Sequence, residues 1–166
     1  MSSNDALVES WRRQARMIKS LFSLMTEDNK DTRPNENSWP MIQHFAHIHV
    51  VRENWIHSIS EEIASGLGDV VRQEGEQWIL IDDIAEIGRQ LDLSAQAVED
   101  TLVQALETGQ AGPYEHPVLF VQHQVWHEGY HAGLIILALR NAGCEPSDEW
   151  EESHIWELWR GVEEWE

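Results

Sequence analysis

The 166-residue sequence predicts an all-α fold: an antiparallel four-helix bundle followed by a C-terminal acidic tail rich in tryptophan. Three observations lead there. Four segments carry apolar residues at spacings of three and four, the repeat of a helix that buries one face. No convincing pair of strands stands out, so no sheet is expected. The composition, 42% hydrophobic and 25% charged, is that of a globular chain with a core to bury. No internal repeat, low-complexity block or Pro/Ser-rich linker interrupts it. The expectation is one domain over residues 1–166, with a core at about 5–143 and an arm at 147–166.

The first helix is predicted from about Asn4 to Met25, on the stripe Leu7, Trp11, Ala15, Ile18, Phe22 and Met25. The polar stretch Glu27 to Asn37, with Pro34, ends it in a loop. A second helix starts near Trp39-Pro40, with Ser38 as N-cap and Pro40 in the first turn, where its missing N–H costs nothing. Its apolar face runs Ile42, Phe45, His49, Arg52, Ile56, Ile59 and Ile63, and Gly66 and Gly68 stop it. Val70 to Ile81 contains the strand-like Trp78-Ile-Leu-Ile but no visible partner, and reads as an apolar loop packed on the bundle. Asp82 or Asp83 caps a third helix carried by Ile84, Ile87, Leu91, Ala95, Val98, Leu102 and Leu106, and closed by Gly109 to Pro113. The fourth runs from Pro117 to Asn141, with Gly143 at the C-cap and Pro146 beyond. The tail, holding Trp150, Trp156, Trp159 and Trp165 among many acids, reads as a short helix or an ordered arm on the bundle. The segment between the second and third helices is long enough for a crossover, so the order need not be up-down-up-down.

Charge narrows the partners. A net charge of −19 repels phosphate backbones and anionic lipid, which argues against nucleic acid and membrane surfaces. The longest uncharged apolar stretch, Ala132 to Leu139, falls far short of the roughly 20 residues that span a bilayer. The N-terminus has no basic region followed by an apolar one, and a single cysteine, Cys144, fits a reducing compartment; a cytoplasmic location is expected.

The fourth helix reads His123-Gln-Val-Trp-His127-Glu-Gly-Tyr-His131. Residues four apart on a helix lie one above the other, about 6 Å apart, so His127 and His131 can direct their imidazoles at one ion. One ion cannot comfortably take a third ligand, His123, from the same helix. The second helix offers His44, His47, His49 and His57. At about 100° per residue, His44 and His49 fall nearer the apolar centre than His47, and periodicity alone does not choose among them.

The segment Trp39-Pro-Met-Ile-Gln-His-Phe-Ala-His47-Ile resembles the signature Trp-x-x-x-x-x-Leu-Ala-His of the DinB-like/YfiT-like superfamily. His127-Glu-Gly-Tyr-His131-Ala-Gly-Leu-Ile resembles its second signature, His-x-x-x-His-x-Gly-Gln-Ile, with Leu134 where glutamine is frequent. The likeness covers about residues 5–143. It implies a four-helix bundle, often a homodimer, that holds a metal on His47, His127 and His131. Alanine at 44, 49 or 123 is then expected to spare binding. Three neutral imidazoles suit Zn²⁺ or Ni²⁺, and less specifically Fe²⁺, Mn²⁺ or Co²⁺. Three protein ligands leave a position for water or substrate.

The resemblance implies small-molecule chemistry: S-transfer with a low-molecular-weight thiol cofactor, isomerisation with such a thiol, or metal-dependent hydrolysis. A divalent ion lowers the pKa of a bound thiol or water and presents the anion to an electrophile. The competing class is a non-enzymatic, metal-stabilised stress-response or binding module; a third is a bare bundle with structural histidines. His127-Glu128-x-x-His131 also matches the zincin protease signature, with Glu128 as candidate base. Leu134 and Leu137 stand where the extended metzincin form needs glycine and histidine, and a ligand among Glu149, Glu151 and Glu152 would have to replace the latter. A solvated helix position is the plainer reading of Glu128. Cys144 follows a helix C-terminus, whose negative end raises a thiol's pKa, and reads as structural. Trp11, Trp55 and Trp126 read as core or interface anchors; Trp126 and Tyr130 lie off the metal face of their helix.

Overall fold

Helix boundaries in the computed structural model, which describes residues 1–75 and 77–160, fall where capping groups are available. Helix α1 spans Ser3–Phe22; Ser2 and Asp5 cap it reciprocally, each side chain accepting from the other's backbone N–H. Helix α2, Met41–His57, begins differently from the expectation. Ser38 does not cap it: Pro40 holds the N-cap position without a side-chain bond. The loop supplies the acceptors instead, since Met41 N–H donates to the Thr32 carbonyl and Ile42 N–H to that of Lys30. The second predicted helix also breaks early. Its regular part ends at His57, and Ser60 caps a separate turn, α3 (Glu61–Ala64).

Val70 to Ile81 is not a loop. Strands β1 (Val71–Glu74) and β2 (Gln77–Leu80) pair antiparallel, with Val71 opposite Leu80 and Gln73 opposite Trp78. Gly75 makes the reversal at a positive φ of 64°, a conformation a side chain disfavours. Four-residue strands rich in charge at one end carry too little alternation to be seen in sequence.

Helix α4, Ile84–Thr108, is capped by Asp83, whose carboxylate accepts from Glu86 N–H, and ends on Gly109. Helix α5, Pro117–Asn141, starts under the side chain of His116. It ends in a Schellman turn one residue earlier than a C-cap at Gly143 would give: Ala142 is the cap and Gly143 follows at φ 70°. The Cys144 N–H then reaches the Leu139 carbonyl and the Gly143 N–H that of Arg140. The tail forms α6 (Asp148–Glu151), a π-helical turn (Glu152–Trp156) and α7 (Glu157–Arg160). The turn and α7 lie on α1, where Arg13 donates to the Trp159 carbonyl. Trp165 falls outside the described residues.

The fold is thus mostly helical, with one small hairpin. Helices α1 and α2 each pack on both α4 and α5, and meet across the middle, where Phe22 touches Phe45 edge-on. Two apolar clusters fill the interior. One gathers Ile18, Leu21, Phe45, Ile48, Ile87, Ile135 and Leu139, the other Trp11, Ile56, Val98, Leu102, Phe120 and Val121. Their membership fixes the helix directions. Helices α1 and α5 run from the second cluster to the first, whereas α2 and α4 run the opposite way. The neighbours α2 and α4 are therefore parallel, which the long connection through α3 and the hairpin allows.

Candidate metal centre

On every long helix a polar residue separates the two apolar clusters. Gln14, Arg52, Ser94 and Glu128 are all buried. Arg52 Nε donates to Glu128 Oε1 at 2.6 Å, and Gln14 Nε2 donates to Oε2 at 3.1 Å. Arg52 Nη1 also reaches the Leu91 carbonyl at 2.9 Å, and its guanidinium stacks on the Trp11 ring. Glu128 is therefore no solvated residue: it has no exposed surface, and both carboxylate oxygens are engaged inside the core. Sequence reasoning placed Arg52 on an apolar face without asking what would neutralise it; a cation within an apolar stripe was the available signal.

Next to this layer, α5 turns His127 and His131 toward α2. Their Nε2 atoms lie 3.1 Å apart. His47 completes a group in which one ligand nitrogen from each ring lies within 4.8 Å of the others. Among the described residues no carboxylate or thiol joins this group, so Glu149, Glu151 and Glu152 are not part of it. Ligand atoms about 2.0–2.1 Å from a zinc ion are themselves about 2.8–3.4 Å apart in octahedral or tetrahedral arrangement. The pair on α5 already has that spacing. Burial first, and neighbouring histidines second, push His127 down to about 4 and His131 to about 3; burial also lowers His47. At neutral pH all three rings are uncharged, the form that ligates.

The remaining histidines are separated by their hydrogen bonds. His123 Nδ1 pairs with the Tyr114 hydroxyl at 2.7 Å, beside Trp55, and is not one of the three converging rings. His49 pairs with the Gly68 carbonyl at 2.9 Å and fastens the hairpin's entry. His44 behaves otherwise. Its Nδ1 lies 2.8 Å from His131 Nδ1, so one of the two must donate. If His131 Nδ1 carries the proton, its Nε2 is left bare toward His127, as a ligand requires. The expectation that His44 is dispensable is revised accordingly. His44→Ala is expected to weaken metal affinity roughly 10- to 100-fold without abolishing it, as read by competition with a chromogenic chelator.

The three rings open on a cavity of about 470 Å³ walled by Trp39, Trp126, Tyr130 and Leu134. Trp39 lies parallel to His131 at 6.4 Å, and Trp126 stacks on Tyr130 at 6.3 Å. Trp126, 72% exposed, is a rim residue and not a core anchor; Trp11, fully buried, is core as expected. Trp126 and Tyr130 do line the site, because the cleft is wider than one helix face. Cys144 is exposed in the turn after α5 and plays no part in the centre.

A family model described as "DinB family" matches residues 1–153. No curated protein and no solved structure matches the chain.

Proposed function

The chain belongs to the DinB family, and on that premise we propose that it is a divalent-metal-dependent enzyme for small molecules, an S-transferase using a low-molecular-weight thiol or a hydrolase. The observation that carries this reading is the trio of neutral imidazoles converging on one point at the floor of an open aromatic cleft. His47, His127 and His131 would hold the ion on what we read as a four-helix bundle. The ion, when bound, supplies the charge that favours the anionic form of a thiol or a water. The chain's own residues do the rest. His44 holds the tautomer of His131, and Trp39, Trp126 and Tyr130 offer flat apolar walls to a substrate. A zincin-type base is disfavoured, because Glu128 is tied to Arg52 and Gln14.

Purified protein is expected to carry one divalent ion per chain, Zn²⁺ or Ni²⁺ before Fe²⁺, Mn²⁺ or Co²⁺, as read by elemental analysis. Conjugation of a low-molecular-weight thiol to an electrophile, or ester cleavage, should follow the ion. A protein that holds the ion but turns over neither substrate class is the outcome for a metal-stabilised binding module.

We further read the protein as a cytoplasmic homodimer with neither nucleic acid nor membrane as partner. Among the described residues no helix is long and apolar enough to cross a membrane. Helix α5 also exposes Leu119 and Leu137, apolar surface outside the cleft walls that a second copy can cover. Light scattering should give twice the 19.2 kDa chain mass; a monomer at every concentration would refute the dimer.

A further inference from the structure

A second cavity, of about 580 Å³, opens on the other side of His47. It shares Trp39 and His47 with the metal cleft, so the two meet at the proposed ion. Its floor is the face of α2 that carries His47, Val50 and Glu53, one helical turn apart. Its far wall is the hairpin. Trp78 and Leu80 alternate onto one face of β2, and Val71 pairs with Leu80 on the same side. Trp78 is 70% exposed although it is a tryptophan in a strand, and it overhangs this space. Glu53 and Asp69 also line it. Among the described residues neither carboxylate has a lysine or arginine partner, unlike Glu9, Glu86, Glu99 and Glu128. Among the described residues the basic groups beside Glu53 are both histidines, His49 at 3.8 Å and His57 one turn further along α2. Burial first and the neighbouring Asp69 second hold the Glu53 carboxyl above its ordinary value, against a smaller opposing pull from His57.

We propose that this cavity is the second arm of the substrate site and selects an apolar or aromatic small molecule bearing a cationic amine, its body between Trp39 and Trp78 and its ammonium at Glu53 and Asp69. The volume falls in the range of small-molecule sites, and the lining has their make-up: mostly apolar walls with a few convergent polar groups. Tryptophan faces attract cations as well as rings. An anionic ligand would meet two carboxylates there, within a chain of net charge −19. The inference rests on the metal-centred reading only for the reacting end of the substrate.

The test uses three probes of one shape: 2-phenylethylamine, 2-phenylethanol and 3-phenylpropanoate. Each is titrated by calorimetry and by the indole N–H resonances of Trp39 and Trp78, on metal-loaded and on chelator-stripped protein. On the chelator-stripped protein the amine is expected to bind at least about tenfold more tightly than the alcohol, and the carboxylate not at all; on the metal-loaded protein the amine keeps its lead over the alcohol. Glu53→Gln with Asp69→Asn should remove that preference, a loss of roughly tenfold, or about 1.4 kcal/mol. Both changes keep shape, and circular dichroism checks the fold. Equal binding of the three probes, or full amine affinity in the double variant, overturns the proposal. Amine selectivity that survives metal removal upholds this arm even if the metal reading fails. A stoichiometric ion without amine selectivity sinks this arm alone.

Discussion

His131→Ala is expected to abolish stoichiometric metal binding, and with it any thiol conjugation or hydrolysis. His131 has two contacts that no other ring combines: its Nε2 sits 3.1 Å from that of His127, and its Nδ1 is tied to His44. Removing it deletes a ligand and the link that orients the site at the same time. Two ligands on separate helices then remain, too few to hold an ion against water and dilution. His47→Ala and His127→Ala should abolish binding too, whereas His49→Ala and His123→Ala should largely spare it. Cys144→Ala is the control: the thiol is exposed beyond the end of α5, and its removal should leave metal content and turnover unchanged. Elemental analysis and a thermal melt of each variant separate loss of the ion from loss of the fold. An ion retained in His131→Ala, or activity lost in Cys144→Ala, would contradict the assignment.

The long helices were legible because burial of one face imprints a 3.6-residue repeat, and Asp83, Pro117 and Gly109 mark ends by local chemistry. The hairpin was not, since its pairing depends on residues up to nine positions apart in strands of four. The loop carbonyls of Lys30 and Thr32 that cap α2 leave no side-chain signature at all. At the site, the helical wheel put His44 and His49 nearest the apolar centre of α2, and both are indeed buried. Burial is a different property from ligation. A ligand to an open site has to lie at the border of core and cleft, where His47 is, and periodicity favours the centre of a face over its edge. The spacing of His127 and His131 was sufficient to pair them; the choice of His47 came from the resemblance. His44 behind His131 depends on two helices meeting and could not be read from either.

Glu128→Ala is expected to destabilise the fold by about 3–5 kcal/mol, the cost of leaving a buried charge without its partner. For a chain of this size that lowers the melting temperature by roughly 6–20 °C. The Arg52 side chain is 1% exposed and cannot turn to water. Its Nη2 already lacks a partner, so the pair with Glu128 is what keeps the guanidinium tolerable between two apolar clusters. Gln14 would lose its acceptor in the same step. Arg52→Met should cost a similar amount, because it strands the carboxylate instead. The double variant Arg52→Met with Glu128→Leu should recover much of the loss, since volume is kept and no charge is buried. Denaturant unfolding of the wild type, Arg52→Met, Glu128→Leu and their double variant closes the cycle and measures the coupling. The same series decides the role of the glutamate in the His-Glu-x-x-His segment. Glu128→Gln keeps an acceptor for Arg52 and should retain both the ion and turnover. A fully folded, metal-loaded Glu128→Gln protein without turnover would instead make Glu128 the base that its buried pairing with Arg52 argues against.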